Sequence, residues 1–303
     1  MIRLIALAAL LLLTPALSQA EVLFEKQSLY RNVIVTDKGE LRCLEFSTHR
    51  DVPLEQSCIY DDNRDKMVFM YTKFAMSGVI LAPKHPQSIL IVGLGGAVLP
   101  YALHKLYPEA HIDTVEIDRV VVDVAKRFFD YHPGGTQRVI VSDGRVYAKH
   151  AIARGQHYDM IILDAFNGDY IPPHLMTVEF LRECRTLLTP GGVLVANTFS
   201  SSDLYDSESV TYKKAFGWFL NVKGMSGNRI ILTRKGPRVS PAELRRRAAG
   251  YPYDLRPMGI DIDHLATLAS DKPDWDADAP VLTDQYAPVN LLNGVRRAER
   301  DSN

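Results

Sequence analysis

The sequence of 303 residues contains only three cysteines and has almost no excess of charge of either sign. Three cysteines cannot supply the framework of a disulfide-rich domain, so the fold must depend on a packed hydrophobic core. The 35 basic and 36 acidic residues give a net charge of −1, which provides no electrostatic reason to expect a nucleic-acid partner. Because 47% of the residues are hydrophobic, the composition is that of a folded globular protein and not of a disordered one.

No apolar run in the chain is long enough for a comfortable membrane span. Near the N-terminus, Arg3 precedes an apolar run over residues 4–13, followed by Pro15 and by Ser18-Gln19-Ala20. This pattern is typical of a secretory signal peptide cleaved after Ala20. We therefore expect an exported protein, periplasmic or secreted, with no stable membrane insertion after the signal is removed. An uncleaved N-terminal anchor is the alternative.

Two of the cysteines lie in a predicted β-hairpin. Residues 41–46 and 56–60 resemble two short strands around a polar loop, and the midpoint between Cys43 and Cys58 falls inside that loop. A symmetric hairpin would place these side chains opposite each other, at a separation that a disulfide tolerates. The pair is either a disulfide or two unpaired small apolar residues. Cys184 lies on a predicted helix and is expected to be a buried thiol.

The sequence after the signal divides into a β module and an α/β module. Residues 22–60 alternate apolar and polar side chains around turn signals, which predicts a small antiparallel sheet. Residues 65–81 have helical periodicity and are expected to connect the two modules. The predicted organisation is a signal peptide over 1–20, a β-hairpin domain over 21–64, a nucleoside-binding catalytic domain over 65–235 and a C-terminal extension over 236–303.

From residue 88 onward, short apolar strands alternate with amphipathic helices. Strands are predicted at 89–92, 112–115, 138–141, 160–163, 193–196 and 229–233, and helices at 98–107, 120–129, 145–153, 178–188 and 208–220. This alternation predicts an α/β fold with a doubly wound, parallel, Rossmann-like sheet and right-handed crossovers. In such a sheet, ligands bind beyond the carboxyl ends of the strands.

Three of these strand ends carry residues suited to an adenosine. The first is followed by a glycine turn, Val92-Gly93-Leu94-Gly95-Gly96-Ala97, which permits close backbone approach but could also serve packing alone. Glu116 ends the second strand, 21 residues after Gly95, where a carboxylate can accept both hydroxyls of a ribose. Asp143 ends the third strand and either accepts from the adenine amine or caps the next helix. The predicted donor-binding residues are Gly93, Gly95, Gly96, Glu116, Ile117, Asp143 and Gly144.

The fourth strand ends at Asp164 and continues into a polar, aromatic loop over residues 165–172. Such a loop at the edge of the sheet is where a second substrate is expected. Asp164 follows an apolar strand, where it could accept the proton of an incoming amine. The alternative is that it only caps the following turn.

Several of these segments resemble the spermidine synthase family, over about residues 28–288. The resemblance is carried by Val115-Glu116-Ile117-Asp118, Asp143-Gly144-Arg145 and residues 158–164. It implies an N-terminal β domain on a class I methyltransferase-like core, and aminopropyl transfer from decarboxylated S-adenosylmethionine to a polyamine or other amine acceptor. By position, Glu116 would hold the ribose, Asp143 the adenine, and Asp164 would deprotonate the amine. The substrate-binding candidates, some of them suggested only by this resemblance, are Gln56, Tyr71, Asn167, Asp169 and Tyr170.

Gly96 and Asn167 depart from the family pattern, because family synthases carry aspartates at both places. The glycine turn instead resembles that of methyltransferases, whose donor is S-adenosylmethionine itself. Two alternatives therefore stay open: an S-adenosylmethionine-dependent methyltransferase, and a catalytically lapsed, exported protein that binds a nucleoside or polyamine. No metal is expected, because the nine histidines show no ligand spacing. His174 is expected to be a loop residue or a helix cap, and a homodimer is left open.

Overall fold

The fold is taken from a computed structural model. The structure describes residues 20–47, 53–166, 170–224 and 227–287. Residues 1–19 of the expected signal peptide and two substrate-binding candidates, Asn167 and Asp169, lie outside this part of the chain. No helix within the described ranges combines the length and the apolar character that crossing a bilayer requires.

The N-terminal residues form a four-stranded antiparallel sheet, as the alternating pattern predicted. Its strands follow one another in space as they do in sequence: β1 Glu21–Gln27, β2 Asn32–Asp37, β3 Leu41–Ser47 and β4 Leu54–Tyr60. Cys43 and Cys58 are direct partners in the β3–β4 ladder and form a disulfide. The structure therefore contains the disulfide, and not the two unpaired cysteines that were the alternative.

The second sheet has eight strands in the order β12-β10-β11-β9-β8-β5-β6-β7. The strands are β5 Ser88–Val92, β6 His111–Glu116, β7 Gln137–Val141, β8 Tyr158–Leu163, β9 Leu188–Phe199, β10 Leu220–Lys223, β11 Asn228–Arg234 and β12 Ala269–Ser270. The five strands β5 to β9 are parallel, which confirms the predicted α/β fold with a Rossmann-like sheet.

The parallel direction expected for the last predicted strand is wrong, because β11 runs antiparallel to β9. The predicted helix over 208–220 ends at Phe216, where Gly217 has a left-handed backbone with a φ of 84°. The following residues form β10, which the sequence pattern missed. Because only a short connection joins β10 to β11, the two strands pair antiparallel and reverse the chain direction.

Helices cover both faces of the second sheet. They are α1 Met70–Ala75, α2 Gly78–Leu81, α3 Val98–Leu106, α4 Arg119–Phe128, α5 Gly144–Ala153, α6 Val178–Leu187, α7 Tyr205–Phe216, α8 Pro241–Ala249 and α9 Ile262–Thr267. The helix predicted over 65–81 is therefore two shorter helices. Their junction brings Gly78 against β9 so closely that a Cβ atom there would lie 2.4 Å from Val195 Cγ2.

Alternate residues of β5 contribute to two different hydrophobic clusters. Ile89 and Ile91 belong to one, whereas Leu90 and Val92 belong to the other. This period of two is expected of a strand covered on both faces. Because apolar packing covers both faces of the sheet, the polar residues of the site lie at the carboxyl ends of β5 to β8.

Candidate active site

A cavity lies at the carboxyl ends of β5, β6, β7 and β8, the position expected for ligands in this kind of sheet. The predicted residues that line it are Gln56, Tyr71, Gly93, Gly95, Glu116, Ile117, Asp143, Gly144 and Asp164. Tyr170 is not among the lining residues and packs instead against a cluster of Met176, Leu204 and Leu282. The structure therefore brings most of the predicted donor site to one place.

Gly93 joins the glycine turn to the candidate base. Its φ is 105°, and a Cβ atom built on it would lie 2.2 Å from the carbonyl oxygen of Asp164. The Asp164 N–H in turn donates to the Val92 carbonyl at 2.8 Å. Both the backbone conformation and the close approach require glycine here. The turn and the Asp164 backbone therefore form one tightly packed unit.

Gly96 lies behind the turn, and Ser57 of β4 takes the space that a side chain there would need. A Cβ atom on Gly96 would lie 2.7 Å from Ser57 Oγ and 2.9 Å from Phe129 Cδ1. On the other side, Arg64 Nη2 donates to the Gly96 carbonyl at 3.2 Å. Ser57 lines the cavity, and nothing in the local sequence indicated it, because it comes from the other sheet.

Glu116 ends β6 with both carboxylate oxygens held by the backbone. The Leu94 N–H donates to Oε2 at 3.0 Å and the Asp118 N–H to Oε1 at 2.9 Å. Burial raises the pKa of Glu116, while these two N–H groups and the nearby Arg31 guanidinium act against that rise. Since each oxygen has a second acceptor position, the carboxylate can still accept from two hydroxyl groups.

Asp143 caps α5 and also faces the cavity. Its Oδ1 accepts from the backbone N–H groups of Arg145 and Val146, both at 2.9 Å. Its Oδ2 lies 2.7 Å from Nε2 of His174, and this contact lowers the pKa of Asp143. Asp143 therefore caps helix α5, as one of the two alternatives predicted, and it also lines the cavity. His174 also lines the cavity, and its contact with Asp143 spans 31 positions in sequence.

Asp164 is held by an amide from the neighbouring strand. Asn197 Nδ2 donates to Asp164 Oδ1 at 2.9 Å, and Asn228 Nδ2 donates to Asn197 Oδ1 at 3.2 Å. Part of the Asp164 side chain faces the cavity and protein surrounds the rest. This burial raises its pKa to about 7, with the Asn197 hydrogen bond acting in the opposite direction. A carboxyl group with this pKa can accept a proton near neutral pH.

A second cavity adjoins the first and shares Gln56, Tyr71 and Phe166 with it. Its aromatic side chains form two pairs: Phe69 and Tyr71 are stacked with centroids 5.9 Å apart, and Phe166 meets Phe199 edge-on at 5.1 Å. The Tyr71 hydroxyl donates to the Gln56 carbonyl at 2.9 Å, and burial raises the pKa of Tyr71 well above its ordinary value. Tyr71 therefore stays neutral at the junction of the two cavities.

The fold and the two joined cavities define a class I methyltransferase-like enzyme. Residues 68–217 match the family model of the spermine/spermidine synthase domain. The chain is 45% identical, over 292 residues, to a polyamine aminopropyltransferase of Vibrio vulnificus, a match that covers 95% of this chain and 97% of the relative. The chain belongs to the spermine/spermidine synthase family, which confirms the resemblance noted in the sequence.

Two further similarities extend to methyltransferases and to solved structures. The human eEF1A lysine and N-terminal methyltransferase is 30% identical over 198 residues, which are 61% of this chain and 28% of that protein. The crystal structure of a probable spermidine synthase from Corynebacterium glutamicum has a TM-score of 0.62 at 20% identity, and covers 85% of this chain and 98% of its own. The fold is thus the one that the sequence predicted.

Proposed function

We propose that this enzyme transfers an aminopropyl group from decarboxylated S-adenosylmethionine to a polyamine or other amine acceptor. The observation that carries the proposal is the position of Asp164, which lines the donor cavity and accepts a hydrogen bond from Asn197 of the aromatic second cavity. In the donor cavity, Glu116 accepts hydrogen bonds from the ribose hydroxyls, and Asp143 accepts one from the adenine amine. No step in this reaction requires a metal.

The reaction needs a neutral amine, whereas an alkylamine is protonated near neutral pH. Asp164 accepts one proton from the acceptor amine. The nitrogen lone pair then attacks the propyl carbon next to the sulfonium, a new C–N bond forms, and the C–S electron pair returns to sulfur. The products are the aminopropylated amine and neutral methylthioadenosine. Asn197 fixes Oδ1 of Asp164, which leaves Oδ2 to take the proton.

The second cavity supports an amine acceptor with a hydrocarbon chain. Aromatic faces attract ammonium groups through cation–π interactions and also cover methylene groups. Asn197 and Asn228 add amide groups to the lining. We infer that the acceptor enters through this cavity and presents its amine to Asp164 at the end next to Tyr71.

Methyl transfer from S-adenosylmethionine is a second candidate, favoured by one observation. The close packing of Gly96 on Ser57 and Phe129 leaves no room for an acidic side chain there, so the turn offers no carboxylate to a donor amine. Calorimetry with S-adenosylmethionine, its decarboxylated form and methylthioadenosine separates the candidates. Aminopropyl transfer predicts tighter binding of the decarboxylated donor. Tighter binding of S-adenosylmethionine would favour methyl transfer, and no binding of any nucleoside would favour a lapsed protein.

We also propose that the protein is exported and contains no structural metal. The Cys43–Cys58 disulfide supports export, because disulfides persist in oxidising compartments. Among the described residues, the cluster with ligand-like geometry consists of Cys43, Glu55 and Cys58, and the disulfide uses both of its thiols. Cell fractionation with N-terminal sequencing tests cleavage after Ala20. Metal analysis of the purified protein tests the second point, and stoichiometric zinc would refute it.

A further inference from the structure

We propose that Ser57 is a specificity-determining residue that binds the tail of the donor, the amine-bearing chain on its sulfur. The Ser57 hydroxyl occupies the space of the side chain that Gly96 lacks, and it offers the tail a neutral partner in place of a carboxylate. The inference rests on the proposed function, because it takes the first cavity as the site of an adenosyl donor.

The order of the strands determines where each part of the donor lies along the sheet edge. The strands β7, β6, β5 and β8 are neighbours in that order. With the adenine at Asp143 after β7 and the ribose at Glu116 after β6, the sulfur and its tail reach the glycine turn after β5 and Asp164 after β8. At this turn β4 of the N-terminal sheet contributes Gln56 and Ser57 to the cavity lining. The tail therefore meets β4.

Ser57 is a buried polar residue in direct contact with the glycine turn. It is 3% exposed, and a Cβ atom on Gly96 would lie 2.7 Å from its Oγ. Among the residues that the structure describes, none forms a hydrogen bond with this hydroxyl. A hydroxyl can donate one hydrogen bond and accept others, and a buried polar group without a partner costs free energy. A ligand group that binds Ser57 removes this cost.

The other hydroxyl groups of the cavity lining are already engaged. Tyr71, Thr72 and Ser142 each donate a hydrogen bond to a backbone carbonyl, at 2.9, 2.7 and 3.1 Å. The amide nitrogen of Gln56 also donates to a backbone carbonyl, at 3.2 Å. Ser57 is consequently the hydroxyl of the described lining that is left for a ligand.

The charged groups of the cavity favour a cationic tail. Its described lining contains the carboxyl groups of Glu116, Asp143 and Asp164 and no lysine or arginine. An ammonium group can donate a charge-assisted hydrogen bond to the Ser57 hydroxyl. Because the hydroxyl is neutral, it binds the ammonium more weakly than a carboxylate would, and it does not repel the carboxylate that S-adenosylmethionine carries. Ser57 therefore sets how strongly the enzyme distinguishes the two donors.

The test measures the Kd of decarboxylated S-adenosylmethionine, S-adenosylmethionine and methylthioadenosine by calorimetry. Methylthioadenosine has no amine-bearing tail and serves as the internal reference. For Ser57→Ala we expect the Kd of the decarboxylated donor to rise about tenfold and that of methylthioadenosine to change less than about twofold, because only the hydrogen bond to the tail is lost. The control is Ser142→Ala, since the Ser142 hydroxyl is bonded to the Asp143 carbonyl at the adenine end of the cavity. It should leave the ratio of the two Kd values unchanged.

A second variant, Ser57→Asp, should lower the Kd of the decarboxylated donor about tenfold and raise that of S-adenosylmethionine, because a carboxylate attracts the ammonium and repels the second donor's carboxylate. Thermal unfolding checks that both variants stay folded, and the alanine variant decides alone if the aspartate variant does not.

An unchanged Kd of the decarboxylated donor in Ser57→Ala would overturn the inference. So would an equal rise for all three nucleosides, because Ser57 would then act on the adenosine portion that they share. An equal change for both donors in folded Ser57→Asp would overturn it as well. The proposed transfer reaction fails separately, if the wild type binds the decarboxylated donor but forms no aminopropylated product.

Discussion

Asn197 donates a hydrogen bond to Asp164 at 2.9 Å, and the register of two strands explains the contact. In the parallel pair β8–β9, Leu163 is the partner of Ala196. The next residues, Asp164 just past the end of β8 and Asn197 within β9, therefore lie side by side. The candidate base is thus oriented by a residue of the neighbouring strand, and its protonation depends on that neighbour.

Replacing Asn197 by alanine should shift the acid limb of the rate–pH profile to higher pH. The lost hydrogen bond stabilises the charged form of Asp164, so without it the pKa of Asp164 rises further above about 7. The profile of kcat/KM measures this directly. Asn228→Ala removes only the second hydrogen bond of the chain and should give a smaller shift. A lower rate with an unmoved profile would show that Asn197 acts only in packing.

Replacing Asp164 by asparagine should abolish turnover and stabilise the protein at alkaline pH. Burial raises the pKa of Asp164 in the folded state to about 7, above the value of about 3.9 in an unfolded chain. The charged carboxylate therefore costs stability progressively as the pH rises from about 4 to about 7. We expect the variant to be more stable than the wild type by about 1–3 kcal/mol at pH 8 and equal to it at pH 4. Urea unfolding at both pH values checks this, and equal stability at pH 8 would contradict the buried charge.

Replacing Glu116 by glutamine should weaken methylthioadenosine binding by roughly 1–3 kcal/mol, because a charged acceptor becomes neutral. It should also lower stability, since the Leu94 and Asp118 N–H groups both bind the carboxylate and one would then face an amide NH2. Calorimetry and thermal unfolding report the two effects separately. Glu109→Gln, at an exposed position, is the control. If folded Glu116→Gln binds methylthioadenosine as tightly as the wild type does, Glu116 does not bind the ribose.

Introducing aspartate at Gly96 should destabilise the protein and should not improve binding of the decarboxylated donor. The new Cβ would lie 2.7 Å from Ser57 Oγ and 2.9 Å from a carbon of the Phe129 ring, and one of these must move. Gly134→Ala is the control, because a Cβ there meets no atom within 4 Å. Thermal unfolding and donor calorimetry provide the readouts. A stable Gly96→Asp variant with tighter donor binding would contradict this packing argument.

The sequence predicted the residues whose positions follow from strand order. Glu116, Asp143 and Asp164 each end a strand, and parallel strands bring their carboxyl ends to one edge. Asn197 could have been found in the same way, because it directly follows the predicted strand 193–196. Ser57 could not, since its place depends on how the N-terminal sheet packs on the second sheet. The pairing of His174 with Asp143 likewise depends on tertiary structure.

The fold was predictable where the hydrophobic periodicity is strong. It was not predictable where the conformation of a single residue determines where an element ends. Gly217 ends α7 by adopting a left-handed backbone, and the apolar pattern runs on past it into β10. A four-residue strand has too few positions for period two to be distinguished from helical spacing. The direction of β11 follows from this missed strand.

The central claim is aminopropyl transfer with Asp164 as the base, and product analysis tests it most directly. Purified protein is incubated with a diamine and either decarboxylated S-adenosylmethionine or S-adenosylmethionine, and the products are identified by mass spectrometry. The account predicts an aminopropylated diamine and methylthioadenosine from the decarboxylated donor, and neither product with Asp164→Asn. A methylated diamine and S-adenosylhomocysteine formed from S-adenosylmethionine, with no aminopropylated product from the other donor, would contradict it.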